Sequence, residues 1–181
     1  MQMSIRGSVR ALAGLVVALG LAGCGSTTEL LGGMSGAVTG YSAGNAFSPL
    51  GYRSKEIDET HHTVIATGTA KTPRARIEKI AMIRAAEIGK EGKLGFFKVD
   101  SVQPAVECGK KVDGYKGPSA KQSDYTRVVI AASYAKTATD PSYQPTDATF
   151  DKLTAELQAD VVAPEASAAA AQEVAAVCGK K

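Results

Sequence analysis

The chain has no tryptophan, and only 6% of its 181 residues are aromatic. Its core must therefore be built from isoleucine, valine, leucine and alanine, because few large rings are available to fill it. Basic and acidic residues are nearly balanced, at 21 and 18. Domains that bind nucleic acids carry a marked basic excess to neutralise phosphates, so this composition argues against a nucleic-acid partner.

Residues that commonly perform catalysis or bind metals are also scarce. The two histidines, His61 and His62, are adjacent, and neighbouring residues of a strand point to opposite faces, so the pair cannot share one metal ion. The Gly-x-Ser-x-Gly pattern at residues 40–44 lies in a glycine- and serine-rich stretch rather than between a predicted strand and a helix, so it does not indicate a nucleophile elbow. The sequence has no Cys-x-x-Cys pair and no phosphate-binding glycine loop. We therefore predict no catalytic residues, no metal site and no cofactor, and we interpret the protein as non-enzymatic.

The first 24 residues contain the most specific motif of the chain. Two arginines precede an apolar run, residues 11–21, that is too short to span a bilayer as a helix. The run ends in Leu-Ala-Gly-Cys at residues 21–24, which resembles the lipobox of bacterial lipoproteins. The resemblance implies cleavage between Gly23 and Cys24 and acylation of Cys24. An ordinary secretory signal with a coincidental cysteine is the alternative.

Acylation of Cys24 would make the lipid bilayer the first partner of this protein, since two or more acyl chains anchor a protein stably. Gly25, rather than an aspartate, follows the cysteine, which resembles the default routing of Gram-negative lipoproteins to the outer membrane. The expected location is therefore the periplasmic face of the outer membrane. An envelope protein is the second partner that we expect there.

Two cysteines remain besides Cys24. They are Cys108 and Cys178, and thiols in an oxidising, exported compartment usually pair. Zinc binding or a redox role is the alternative. A disulfide between them would close a loop of about 70 residues, which the chain-entropy model values at about 4 kcal/mol. We predict the disulfide and expect it to hold the end of the chain against the domain.

Composition divides the chain into four parts. Residues 1–23 are the predicted signal peptide, and residues 24–50 are a glycine-, serine-, threonine- and alanine-rich stretch that predicts a flexible tether. Residues 51–136 carry the signals of a folded domain. Residues 137–181 are predicted to be a linker followed by a helical extension.

The predicted domain contains the elements of an α+β fold. Stretches of β-branched and aromatic residues predict strands at residues 62–68, 94–102 and 124–134. Residues 51–57 are interpreted as the hairpin partner of the first of these, and their charged residues allow only an edge strand. One helix is predicted from Thr72 to Glu91, with Thr72 as its N-cap and Pro73 at the first helical position. The order strand-strand-helix-strand-strand predicts a small antiparallel sheet with the helix packed across it. Residues 103–123 are predicted to be a long loop.

The region after residue 136 predicts two helices. Residues 137–147 are rich in threonine, proline and aspartate, which is typical of a linker. Large apolar residues then recur at helical spacing until Pro164 interrupts them: Phe150, Leu153, Leu157 and Val161. The alanine-rich residues 165–177 predict the second helix. It has few large apolar side chains, so we expect it to depend on the disulfide.

The segment of residues 51–100 resembles a known family. The segments that carry the resemblance are Gly51-Tyr52, Ile65-Ala66-Thr67-Gly68, Thr72, Arg84-Ala85-Ala86-Glu87 and Gly95-Phe96-Phe97. In order and spacing they are similar to the Caulobacter-type family of small uncharacterised envelope lipoproteins. The chain departs from that family where Arg53 and Ser54 replace the usual Ser-Glu. The resemblance implies the fold and the envelope location, and it carries no activity.

One charged pair lies where the predicted helix should be buried. At 100° per residue, the apolar face contains Ile77, Ile80, Ala81, Ala85 and Ile88. Arg84 falls inside this arc, with Glu87 one turn further on. Because a buried charge is costly without a partner, we predict a structural ion pair between them. A binding site for a carboxylate or phosphate is the alternative, as is a small envelope hydrolase or ligand-binding enzyme using Arg84, Glu87 or a histidine.

Overall fold

The structure is a computed structural model that describes residues 37–110 and 123–179. Its elements are β1 (Gly51–Asp58), β2 (His61–Thr69), α1 (Arg74–Glu91), β3 (Phe96–Glu107), β4 (Tyr125–Ala135), β5 (Gln144–Pro145), α2 (Thr146–Ala159) and α3 (Pro164–Cys178). The predicted signal peptide, with Gly23 and Cys24, lies outside the described residues. Of the helices described, none has both the length and the apolar character needed to cross a membrane.

The strands form one antiparallel sheet in the order β1-β2-β4-β3-β5. The predicted α+β class, with strand-strand-helix-strand-strand order and C-terminal helices, is therefore confirmed. Side chains of β4 alternate across the sheet, and every second one is buried on the same face: Thr126, Val128, Ile130, Ala132 and Tyr134. This is the alternation that a strand with one covered face requires.

Helix α1 covers that face and forms the centre of the core. The five apolar residues predicted to face inward are all buried: Ile77, Ile80, Ala81, Ala85 and Ile88. They pack with Val64, Phe97 and Ile130 of the sheet. The core is therefore mainly aliphatic, as the lack of aromatic residues predicts.

Strand β3 is longer than the sequence predicts. It continues to Glu107, so the first part of the predicted loop over residues 103–123 is strand, and Pro104 pairs with Val128. Proline is tolerated there because β5 pairs with β3 only at Phe96 and Phe97, which leaves the other side of Pro104 at an open edge. The prediction that the loop begins at residue 103 was wrong for this reason.

The predicted cap of α1 is wrong by one position. The helix begins at Arg74, Pro73 occupies the N-cap position, and no side chain caps the helix. The Thr72 hydroxyl instead accepts a hydrogen bond from the backbone N–H of Thr39 at 3.0 Å and lies 3.0 Å from the hydroxyl of Thr69. Thr72 therefore fixes a tertiary contact rather than the helix end.

Residues 37–50, which we call the strap, are docked on the domain, whereas the sequence predicts a flexible tether over residues 24–50. Residues 24–36 lie outside the described part of the chain. Thr39 is only 2% exposed, and its hydroxyl accepts a hydrogen bond from the Thr69 backbone at 3.1 Å. Further along, Ala43 forms a parallel bridge with Tyr52 at the start of β1. Small polar residues therefore dock this segment through hydrogen bonds, which its composition does not predict.

The C-terminal helices differ in how firmly they are attached. Helix α2, which begins inside the predicted linker over residues 137–147, buries Leu157 and packs Phe150 and Leu153 against the core. Helix α3 buries Val174, and its Ser167 hydroxyl donates to the Lys71 carbonyl at 3.0 Å. Because α3 contributes so little apolar surface, we expect its attachment to depend on the disulfide at its end.

Candidate functional site

Arg84 and Glu87 form the ion pair that the sequence predicts. Arg84 Nη1 lies 2.7 Å from Glu87 Oε2 and 3.1 Å from Glu91 Oε1. The side chains of Arg84 and Glu87 are 17% and 23% exposed. The arginine is therefore largely desolvated, with two carboxylates to compensate for it.

Two tyrosines complete this cluster from outside the helix. The Tyr41 hydroxyl donates to Glu87 Oε2 at 2.5 Å, and the ring of Tyr41 stacks on Tyr52 with centroids 4.6 Å apart. The Arg84 guanidinium lies 5.3 Å from the centroid of the Tyr52 ring. The sequence prediction missed Tyr41 because it lies within the stretch interpreted as a tether.

Two groups in this cluster, Arg84 and Tyr41, have a raised pKa. Burial tends to lower the pKa of Arg84, but its hydrogen bonds to Glu87 and Glu91 outweigh burial and raise that pKa. Burial and the hydrogen bond to Glu87 both raise the pKa of Tyr41, so this phenol stays neutral. Among the described residues, the buried Arg84 Nε has no hydrogen-bond partner. The arrangement is suited to fixing the strap on α1.

Two grooves lie on the described part of the protein, and neither is lined by residues of this charged cluster. One, of about 210 Å³, lies beside α3 and includes Val106 and Val174. The other, of about 240 Å³, includes Arg76 and Val161. Arg84 and Glu87 line neither of them.

Replacing Arg84 with alanine should lower the free energy of unfolding by about 1–3 kcal/mol, less than for a fully buried pair because both side chains retain some exposure. The double variant Arg84→Met/Glu87→Leu should recover much of this loss, because it strands no charge. Chemical denaturation followed by circular dichroism measures both.

Arg74→Ala is the matched control on the same helix. Its partner Glu78 lies 3.1 Å away, with side-chain exposures of 54% and 36%, and exposed pairs contribute less than about 1 kcal/mol. An Arg84→Ala protein as stable as the Arg74→Ala control would contradict the structural assignment of Arg84.

The two histidines lie in different surroundings, as the strand geometry predicts. His61 Nδ1 lies 2.8 Å from Asp58 Oδ1 in the β1–β2 turn. That hydrogen bond, with one from the backbone of Thr60, lowers the pKa of the Asp58 carboxyl to about 2. The His62 ring instead meets Tyr134 edge-on, with centroids 5.2 Å apart. His61 therefore stabilises a turn, and His62 packs beside the core.

Cys108 and Cys178 are joined by a disulfide, with an S–S distance of 2.02 Å and Cα atoms 5.4 Å apart. The predicted pairing across 70 residues is thus present in the structure. Asp124, just before β4, lies beside the bridge and accepts a hydrogen bond from the Gly109 backbone at 2.7 Å. Sequence reasoning missed Asp124, because nothing local links it to either cysteine.

No family model, no curated protein and no solved structure matches this chain. The resemblance of residues 51–100 to the Caulobacter-type lipoproteins therefore stays a prediction.

Proposed function

We propose that the protein is a lipid-anchored domain of the cell envelope that binds or supports a partner protein on the periplasmic side of the outer membrane. The observation that carries this proposal is the Leu-Ala-Gly-Cys motif at residues 21–24, which follows two arginines and a short apolar run in the correct order. Acyl chains on Cys24 would supply the anchor.

The disulfide supports export of the protein. Structural disulfides persist in oxidising compartments and are rare in the cytosol, where thiols are kept reduced. Cys108 and Cys178 are bonded across the fold, so an envelope location and the observed bridge agree chemically.

The docked strap limits how far the domain can stand from the membrane. The described chain begins at Ala37, whose carbonyl accepts a hydrogen bond from the Thr69 hydroxyl at 2.8 Å. Ala37 is thirteen residues after Cys24. A stretch of thirteen residues, even fully extended, spans at most about 45 Å. The domain would therefore work close to the bilayer, within reach of other envelope proteins there.

The contacts of the charged cluster support a non-enzymatic role. The hydrolase or ligand-binding alternative requires Arg84, Glu87 or a histidine to face a substrate. The side chains of Arg84 and Glu87 instead contact each other, and Glu87 also holds Tyr41 of the strap. Their chemistry is used within the fold, which favours a binding or supporting domain.

Lipidation gives the direct test. We expect metabolic labelling with palmitate to mark the protein, and intact mass to show loss of residues 1–23 together with added acyl chains. Cys24→Ala should abolish both changes. The double variant Cys108→Ala/Cys178→Ala is the matched cysteine control and should stay labelled. A wild-type protein that is unlabelled and freely soluble would refute the anchor.

The partner needs a separate experiment. Cross-linking in intact cells, followed by mass spectrometry, should join the wild-type domain to the same envelope protein reproducibly. The Cys24→Ala variant should lose this product, because it is no longer held near the membrane. A domain that stays uncross-linked under conditions that capture a known envelope complex would contradict the binding role.

A further inference from the structure

The disulfide lies in a cluster of three groups that can bind metals. The sulfur atoms of Cys108 and Cys178 and one carboxylate oxygen of Asp124 all lie within 4.8 Å of one another. They come from the residue just after β3, the last residue of α3 and the segment just before β4. All three residues are half-buried, so the cluster is partly shielded yet accessible to an ion.

Reduction would convert the bridge into two ligands. A dithiol reductant attacks the disulfide through its thiolate, and the Cys108–Cys178 bond breaks by thiol–disulfide exchange. The reductant leaves as a disulfide, having supplied two electrons and two protons. Two thiols then stand beside the Asp124 carboxylate.

Two sulfurs and one carboxylate oxygen are a ligand set that suits Zn²⁺, which binds cysteine sulfur and aspartate oxygen in tetrahedral sites. Two sulfurs on one tetrahedral zinc, each about 2.3 Å from it, lie about 3.8 Å apart. Cα atoms 5.4 Å apart can accommodate that separation through rotation of the two side chains.

We propose that the reduced protein binds one Zn²⁺ ion through Cys108, Cys178 and Asp124. The ion displaces the two thiol protons to solvent, and water occupies the fourth position. The Gly109 backbone N–H, 2.7 Å from Asp124 Oδ1, holds the carboxylate in place as an outer hydrogen-bond donor. This inference goes beyond the proposed function and does not depend on lipid anchoring.

The site would keep α3 attached in both redox states. The bond to Cys108 attaches the C-terminal end of α3 covalently to the domain. The buried apolar residue of this helix is Val174. Without bond or metal, the helix end would be free to separate from β3. A bound ion would replace the bond with two metal–sulfur bonds at the same place.

Co²⁺ is the probe for the test, because thiolate-bound Co²⁺ has strong charge-transfer absorption and visible d–d bands. The protein used for this test has the Cys24→Ala change, so that no third thiol contributes. It is reduced with a phosphine, and the phosphine is then removed under anaerobic conditions. We expect one Co²⁺ per chain with thiolate bands, and displacement of Co²⁺ by one equivalent of Zn²⁺. The oxidised protein should show no such bands.

Asp124→Asn tests the third ligand, and we expect it to weaken Co²⁺ affinity at least about tenfold, as loss of a metal-site partner does. The asparagine side-chain oxygen can still accept from Gly109, so the fold should persist, and circular dichroism checks this. Glu107→Gln is the matched control. Glu107 adjoins Cys108 but pairs with Arg127, so the Glu107→Gln protein should bind Co²⁺ with the same affinity as the protein without this change.

Equal Co²⁺ affinity in Asp124→Asn and wild type would overturn the site, since two thiols alone would then explain binding. Absence of thiolate bands in the reduced protein would also overturn it. Neither outcome affects the lipid anchor, which palmitate labelling tests separately.

Discussion

Removal of the Cys108–Cys178 bridge, by the double change to alanine, is expected to lower the free energy of unfolding by about 4 kcal/mol in the chain-entropy model. The bridge joins residues that are 70 positions apart, so breaking it greatly increases the freedom of the unfolded chain. In the folded state, α3 loses its strongest attachment. Chemical denaturation gives the global effect.

Hydrogen exchange locates the same loss within the fold. Backbone amides of α3 should exchange much faster in the double variant, while those of β2 and α1 stay protected, because the core of α1 and the sheet does not include α3. Wild-type protein treated with reductant and without metal is the matched comparison. Unchanged protection of α3 would mean that Val174 and Ser167 hold the helix without the bridge.

Gly51→Ala is expected to cost about 2–4 kcal/mol, from left-handed backbone strain together with a forced displacement of neighbouring atoms. Gly51 has φ +94°, and a Cβ there would lie 2.0 Å from the backbone oxygen of Ser42. That oxygen accepts a hydrogen bond from the Tyr52 N–H at 2.8 Å, so the strap cannot move away from Gly51 without losing its pairing with β1. Thermal and chemical denaturation measure the loss.

Gly92→Ala is the control for this change. Gly92 follows α1 with φ −77°, a conformation open to any residue, and its added Cβ would meet the Ile88 oxygen at 3.3 Å. Small adjustments relieve such a contact, and Gly→Ala at a compatible position changes stability by less than about 1 kcal/mol. A Gly51→Ala protein that matches Gly92→Ala in stability would show that the strap is not tightly held.

The order and type of the longer elements could be predicted because they follow from periodicity, whereas the two-residue strand β5 lies inside the predicted linker. Ile77, Ile80 and Ile88 recur at helical spacing and are buried, and Val128 and Ile130 alternate as in a half-covered strand. The Cys108–Cys178 pairing followed from the small number of cysteines. The helix and strand patterns are local in the sequence, and the cysteine count leaves each of Cys108 and Cys178 only the other as a partner once Cys24 is assigned to lipidation.

The strap could not be predicted, because its attachment is non-local. Thr39 meets Thr72, and Tyr41 meets Glu87, yet the sequence around them resembles any glycine- and serine-rich linker. Asp124 is a similar case, since only the tertiary fold brings it to Cys108. For the charged cluster, helical spacing identified Arg84 and Glu87, but it could not supply the two tyrosines.

The disulfide also determines what a single cut in the backbone would do. Any cleavage between Cys108 and Cys178 leaves two fragments that stay covalently joined by that bond. A cut before β4 would put β2 and β3 on one fragment and β4 on the other, yet β4 lies between β2 and β3 in the sheet. The fragments are thus interleaved as well as linked. A protein nicked once by a protease between the two cysteines would migrate as one species on a non-reducing gel and separate only after reduction, so a single cleavage need not disperse the domain.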